Sequence, residues 1–84
     1  MYSVEFSQMA EKQLDKLEKS IQERIIDVFE RIKIRPYHFV KRKQGTDYFI
    51  LRIGEYRAIL DIQDKIEKIF VLEVGHRKNI YDYR

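Results

Sequence analysis

Residues 47–74 read "DYFILRIGEYRAILDIQDKIEKIFVLEV", and the way this stretch breaks decides the fold. Three runs rich in aromatic and β-branched residues are parted by Gly54 and by Gln63-Asp64, too closely spaced for crossovers. They predict a three-stranded antiparallel meander. Strand side chains alternate between faces, so Phe49, Leu51 and Ile53, then Tyr56, Ala58 and Leu60, then Phe70, Leu72 and Val74 are expected on one apolar side. The other side is expected to carry Tyr48, Ile50, Arg52, Arg57, Asp61, Glu67 and Glu73.

The apolar side needs a cover, and the chain before the meander supplies it. "YSVEF", residues 2–6, alternates Tyr2, Val4 and Phe6 with Ser3 and Glu5, the period of a half-buried strand. Ser7 is placed to cap a helix over residues 8–19, in which Ala10, Leu14 and Leu17 recur at helical spacing. Ser20 and Glu23 have capping-box spacing and predict a second helix start, with Ile21, Ile25, Val28, Phe29 and Ile32 as its stripe. Pro36 disfavours helical geometry at Arg35, so that helix is expected to end near Ile34. The expected class is α+β in the order βααβββ: a helical hairpin on one face of a small, mainly antiparallel sheet, with residues 1–84 forming a single domain.

Charge is not evenly spread over this plan. Residues 1–32 hold five basic and seven acidic side chains, whereas residues 33–84 hold twelve basic and seven acidic ones. The surplus points to an anionic partner, nucleic acid being the usual one, although a solvated surface explains a charge surplus equally simply. It is concentrated in "KIRPYHFVKRK", residues 33–43, with five basic residues, His38, two aromatics and no acid. Lys41, Arg42 and Lys43 suit phosphate contacts, and aromatics among them can stack on unpaired bases. The simpler alternative is an exposed loop that Tyr37 and Phe39 pin to the core.

Two further places carry candidate chemistry. Arg52 and Arg57 fall on the face expected to be free of helices, where each can pair with a neighbouring acid or hold a phosphate. After the last strand come His76, Arg77 and Tyr81, in "EVGHRKNIYDYR", residues 73–84. A histidine can move a proton near neutral pH, an arginine can steady charge on a phosphoryl oxygen, and a tyrosine can stack on a base. Such a segment can also be plain surface. There are no cysteines, no Gly-rich phosphate loop, no zinc ligand set and no nucleophile elbow, so no metal or other cofactor is expected. No apolar run is long enough to span a bilayer and no leader pattern opens the chain, so a cytoplasmic protein is expected.

Taken together, "GEYRAILDI" and "IFVLEVGHRKNIY" behind a helical hairpin resemble the RelE/ParE superfamily of toxins from type II toxin–antitoxin modules. The resemblance covers almost the whole chain. It implies a RelE-like fold and, for the RelE branch, a ribosome-dependent endoribonuclease that cuts messenger RNA and stops translation. On that resemblance Arg57 matches the arginine of the Tyr-Arg motif, Arg77 the arginine after the last strand and Tyr81 the tyrosine that stacks on the substrate base. His76 stands where several branches keep a histidine and becomes the expected proton-transfer group. Lys41, Arg42, Lys43 and Arg52 are the expected RNA contacts. The reaction implied is attack of a ribose 2′-OH on the adjacent phosphorus and needs no metal. The partners implied are a RelB-like antitoxin in a heterocomplex, the ribosome and messenger RNA. The similar RelE enzymes carry two lysines on the strand before the Tyr-Arg motif, where this chain has Tyr48 and Ile50. That departure keeps open the other branch, a non-catalytic ParE-like inhibitor of DNA gyrase.

Overall fold

The computed structural model describes residues 1–76. Strand β1 (Ser3–Phe6) leads into helices α1 (Gln8–Asp15) and α2 (Lys19–Ile32), followed by β2 (Val40–Arg42), β3 (Phe49–Ile53), β4 (Tyr56–Gln63) and β5 (Lys68–His76). The sheet order is β1-β5-β4-β3-β2. Only the β1–β5 pair is parallel; the other three are antiparallel. The α+β hairpin-on-sheet architecture agrees with the sequence. The sheet has one strand more than expected, because part of the basic stretch pairs with β3, Val40 opposite Leu51 and Arg42 opposite Phe49. Three residues give too short a pattern to show a period, and the pairing comes from the edge that β3 offers.

Ala10 of α1 and Ile25, Phe29 and Ile32 of α2 are buried against Leu51, Ile53, Ala58, Leu60, Ile62, Ile69, Val71 and Val74 of the sheet. Phe6 meets Phe29 edge to face, with centroids 5.3 Å apart. In β3 and β4 the buried side is the one the alternation gave. In β5 it differs: Ile69 and Val71 point inward rather than Phe70 and Leu72. Ile59 pairs with Glu73 but Leu60 pairs with Val71, leaving Leu72 as an extra residue in a bulge. A bulge shifts the two-residue phase, so Val74 returns to the core. Residues 69–72 are apolar in both phases, and periodicity could not choose between them.

The bulge is tied to α1. Ser7 Oγ accepts from the Ala10 amide at 3.0 Å, as a helix cap should, and donates to the Leu72 carbonyl at 2.8 Å. Further along β5, the Val74 amide donates to Gln13 Oε1 at 2.7 Å. The helical hairpin closes differently from the capping-box expectation. α2 starts at Lys19 with Glu18 as its N-cap and no side-chain cap bond. Ser20 is the second residue of the helix, two positions past the N-cap, and so cannot cap it. Gln22 turns back instead, its Nε2 donating to the Leu17 carbonyl at 2.9 Å, so it closes the end of α1 that the short connection leaves open.

The two β-turns set the ends of the sheet. Gly54-Glu55 joins β3 to β4 with Gly54 at φ +60°, and a Cβ there would stand 3.1 Å from the Arg24 guanidinium of α2. At the other end, residues 64–66 form a 3-10 turn closed by Glu67 at φ +52°, in place of the two-residue turn expected. Asp64 in that turn accepts from two tyrosine hydroxyls, Tyr2 at 2.8 Å and Tyr37 at 2.7 Å. One carboxylate therefore gathers the start of β1, the turn between β4 and β5, and the Pro36–His38 turn that feeds β2.

Candidate nucleic-acid interface

The β3–β4 register sets Arg52 directly opposite Arg57, and the β4–β5 register sets Gly75 opposite Arg57 on its other side. Because Ile53 and Tyr56 take the helix-side phase, both arginines stand on the open face. Lys41 is opposite Ile50 one step along the same face. Phe39, just ahead of β2, completes a concavity of about 270 Å³ lined by Phe39, Lys41, Arg42, Ile50, Arg52 and Arg57. Its lining combines four cations with two apolar side chains and contains no acid.

Arg57 is the most enclosed of these cations, its Nε shielded from solvent. Guanidinium groups stay charged at any pH the fold survives and present planar forked donors, the geometry that fits phosphate oxygens. Gly75 sets no β5 side chain directly beside Arg57. Two guanidinium groups side by side across a ladder concentrate positive charge on this face, and an anion lying across both would meet it.

The remaining expected contacts divide. Arg42 is committed to the β2–β3 loop: its guanidinium lies 5.7 Å from the Phe49 ring centre, its Nε donates to the Thr46 carbonyl at 3.2 Å, and its Nη2 is 3.3 Å from Asp47. Lys43 is inside that loop, its amide donating to the Tyr48 carbonyl and its carbonyl accepting from the Thr46 hydroxyl, and it does not line the concavity. His76 pairs with Tyr56 and meets its ring edge to face at 5.5 Å. That pair belongs to the helix-side phase, so the imidazole starts from the face opposite Arg57. Arg77 and Tyr81 lie outside the described residues.

Phe39 and Ile50 are the lining residues that the sequence did not assign to the site. Phe39 was left between stacking on a base and pinning the loop, and Ile50 was placed on the open face only as a position without the lysine. The signal available was an aromatic set among cations two residues before Lys41. Tyr37 does take the pinning role, its ring edge to face with Phe49 at 5.3 Å and its hydroxyl on Asp64. Partial burial and the Asp64 carboxylate push the Tyr37 hydroxyl up to about 12. The hydrogen bond to Asp64 likewise raises that of Tyr2. Among the described residues no group of three or more His, Cys, Asp or Glu is gathered to hold a metal ion. No described helix is long and apolar enough to cross a membrane.

Comparison with known proteins gives this geometry a context. The family model described as the ParE toxin of type II toxin–antitoxin system, parDE, matches residues 4–81. Among solved structures, a chain of the toxin–antitoxin complex RelBE2 from Mycobacterium tuberculosis is similar at TM-score 0.82 and 29% identity, over 90% of this chain and 98% of that one. A chain of the archaeal RelE–RelB complex from Pyrococcus horikoshii is similar at TM-score 0.80 and 26% identity, over 94% and 98%. A chain of the RelBE toxin–antitoxin complex from Escherichia coli shares the fold at TM-score 0.76 and 23% identity, over 92% and 98%. Among curated protein sequences none matches.

Proposed function

This chain belongs to the ParE toxin family of type II toxin–antitoxin systems, within the RelE/ParE superfamily, and from that premise we propose that it is a RelE-type endoribonuclease. It cleaves messenger RNA on the ribosome, in the cytoplasm, and is neutralised by a RelB-like antitoxin. The observation that carries this reading is the Arg52–Arg57 pair at a concavity lined by cations, Phe39 and Ile50. Two planar forked donors side by side suit the oxygens of one phosphate.

In the reaction the ribose 2′-oxygen bonds to the adjacent phosphorus and the P–O5′ bond breaks, leaving a cyclic phosphate and a free 5′-hydroxyl. A base takes the 2′-proton, an acid returns one to O5′, and cations steady the crowded phosphorane. Arg57 and Arg77 are assigned to the phosphoryl oxygens, Tyr81 to the base, and Lys41, Arg42, Lys43 and Arg52 to the RNA strand. His76 is assigned to proton transfer. From its seat against Tyr56 it reaches a phosphate on Arg57 only by passing the end of the ladder. Its role therefore has a sharp test: His76→Gln should change the pH profile of cleavage, and an unchanged profile removes it from proton transfer.

The antitoxin assignment is supported by the solved relatives, which were determined as RelE–RelB and RelBE complexes. The cationic open face is a suitable surface for acidic helical segments.

One observation favours a second reading, a ParE-like gyrase inhibitor: Ile50 and Tyr48, not lysines, share the face with Arg57. Adding the purified protein to a translating extract and mapping messenger RNA ends separates the two. Ribosome-dependent cuts that disappear with Arg57→Ala are expected. No cuts, together with inhibited gyrase supercoiling, would establish the second reading instead.

A further inference from the structure

The two apolar side chains of the concavity are unexplained by phosphate binding alone. Phe39 is 42% exposed, meets the His38 ring edge to face at 5.1 Å, and lines the hollow with Ile50, Lys41, Arg52 and Arg57. It is not among the side chains of the core or those packed against it. Here its ring is presented to a basic hollow. We propose that Phe39 and Ile50 form a stacking subsite for one unpaired base of single-stranded RNA, with Lys41 and Arg52 on the flanking phosphates. The subsite rests on the reading of this face as the RNA site.

Strand order fixes which base it takes. Arg57 is on β4, with β5 on one side and β3 then β2 on the other. A strand of RNA whose phosphate rests on Arg57 can continue either over Gly75 toward the end of β5 or over Ile50 toward Phe39. The subsite takes the nucleotide on the β2 side, distinct from any base reached from the end of β5. A hollow of about 270 Å³ suits one nucleotide and is too small for a helix about 10 Å across. The chemistry also discriminates: an acidic peptide needs the cations alone, whereas a nucleobase uses a π-face, an aliphatic contact and cations together. In this light Ile50 is the aliphatic contact that a base uses rather than a lost charge.

The test is NMR titration of the full chain with a short single-stranded RNA blocked at the 2′-positions, and with a set of the same RNA carrying one abasic residue at each position in turn. Phe39→Ala is expected to weaken binding of the intact RNA about 5- to 150-fold, from the range seen when base-stacking aromatics are truncated. Phe39→Tyr should restore it. For the wild type, one abasic position should lose a similar factor, and that position should cost Phe39→Ala nothing further. The slope of log affinity against log salt should stay unchanged for Phe39→Ala but fall by about 0.7 for Lys41→Ala, the single-strand value for one phosphate.

The subsite is overturned, with the RNA reading intact, if Arg57→Ala weakens binding and Phe39→Ala does not. It is also overturned if Phe39→Ala weakens every abasic RNA as much as the intact one, which marks a structural role, or if it weakens only an acidic peptide. If the wild type shifts with no RNA at all, the reading of the face fails together with the subsite.

Discussion

Arg57 carries most of the functional argument at the scale of single residues. Its guanidinium is the enclosed cation of the open face, and Arg52 stands opposite it. Arg57→Ala should leave folding intact, since the side chain is on the face opposite the described helices, and should lower ribosome-dependent cleavage by roughly 10²–10³, the usual loss when one donor to a developing oxyanion is removed. Arg57→Lys should recover little of it, because an ammonium cannot present a planar fork. Cleavage rates with matched circular dichroism spectra check both. The position of Arg57 on the open face was legible from alternation alone. Its pairing with Arg52 followed from the Gly54-Glu55 turn, and the sequence had marked both arginines without joining them. His76 was read as part of the same edge, yet it is Gly75 that stands opposite Arg57, and His76 stands opposite Tyr56. One residue in a strand is enough to change faces.

Among the elements, β5 and its tie to α1 show how a local device sets a longer pattern. Ser7 caps α1 and also holds the bulge carbonyl of Leu72, so one hydroxyl satisfies a helix end and a strand irregularity. Ser7→Ala should cost about 1–2 kcal/mol, a cap with a second bond attached. For a domain of this size that corresponds to a fall in Tm of roughly 4–16 °C, measurable by thermal denaturation. Gly54→Ala should also destabilise, by about 1 kcal/mol or more, since φ +60° disfavours a Cβ and the Arg24 guanidinium must give way. A Gly54→Ala protein as stable as the wild type in chemical denaturation would mean that the turn relaxes to another type. The edge strand β2 belongs to this scale too. Its residues were read correctly as basic and exposed, but its pairing with β3 depends on an edge supplied by residues nearly ten positions away in sequence.

For the whole molecule, the Asp64 carboxylate joins three distant segments through Tyr2 and Tyr37. The Tyr37 hydroxyl is pushed up to about 12 in the folded chain, above its ordinary value of about 10. A raised folded value gives stability that is complete below the unfolded value and is lost as pH rises through the folded one. Stability should therefore hold up to about pH 10 and decline between about 10 and 12. Tyr37→Phe should flatten that decline while lowering stability at neutral pH; pH-dependent urea unfolding of the two proteins makes the comparison. The core around Phe29 is shared by both helices and the sheet. Phe29→Ala should cost about 3–5 kcal/mol, a large part of the 5–15 kcal/mol typical of a small protein.

The sequence by itself determined the meander, the helical hairpin, the cap at Ser7, the charge asymmetry and the open-face placement of Arg52 and Arg57. These are local in origin: side-chain alternation, helical spacing and turn residues act between near neighbours along the chain. Tertiary structure alone decided the pairing of β2, the phase of β5 and the role of Phe39. Each depends on contacts between different elements, which alternation and spacing within one element do not encode. In β5 an apolar run that fits either phase was resolved by the bulge opposite β4 and by the hydrogen bonds from α1. At Phe39 the ring lines the hollow beside β2, while Tyr37, two residues earlier, meets Phe49 and Asp64.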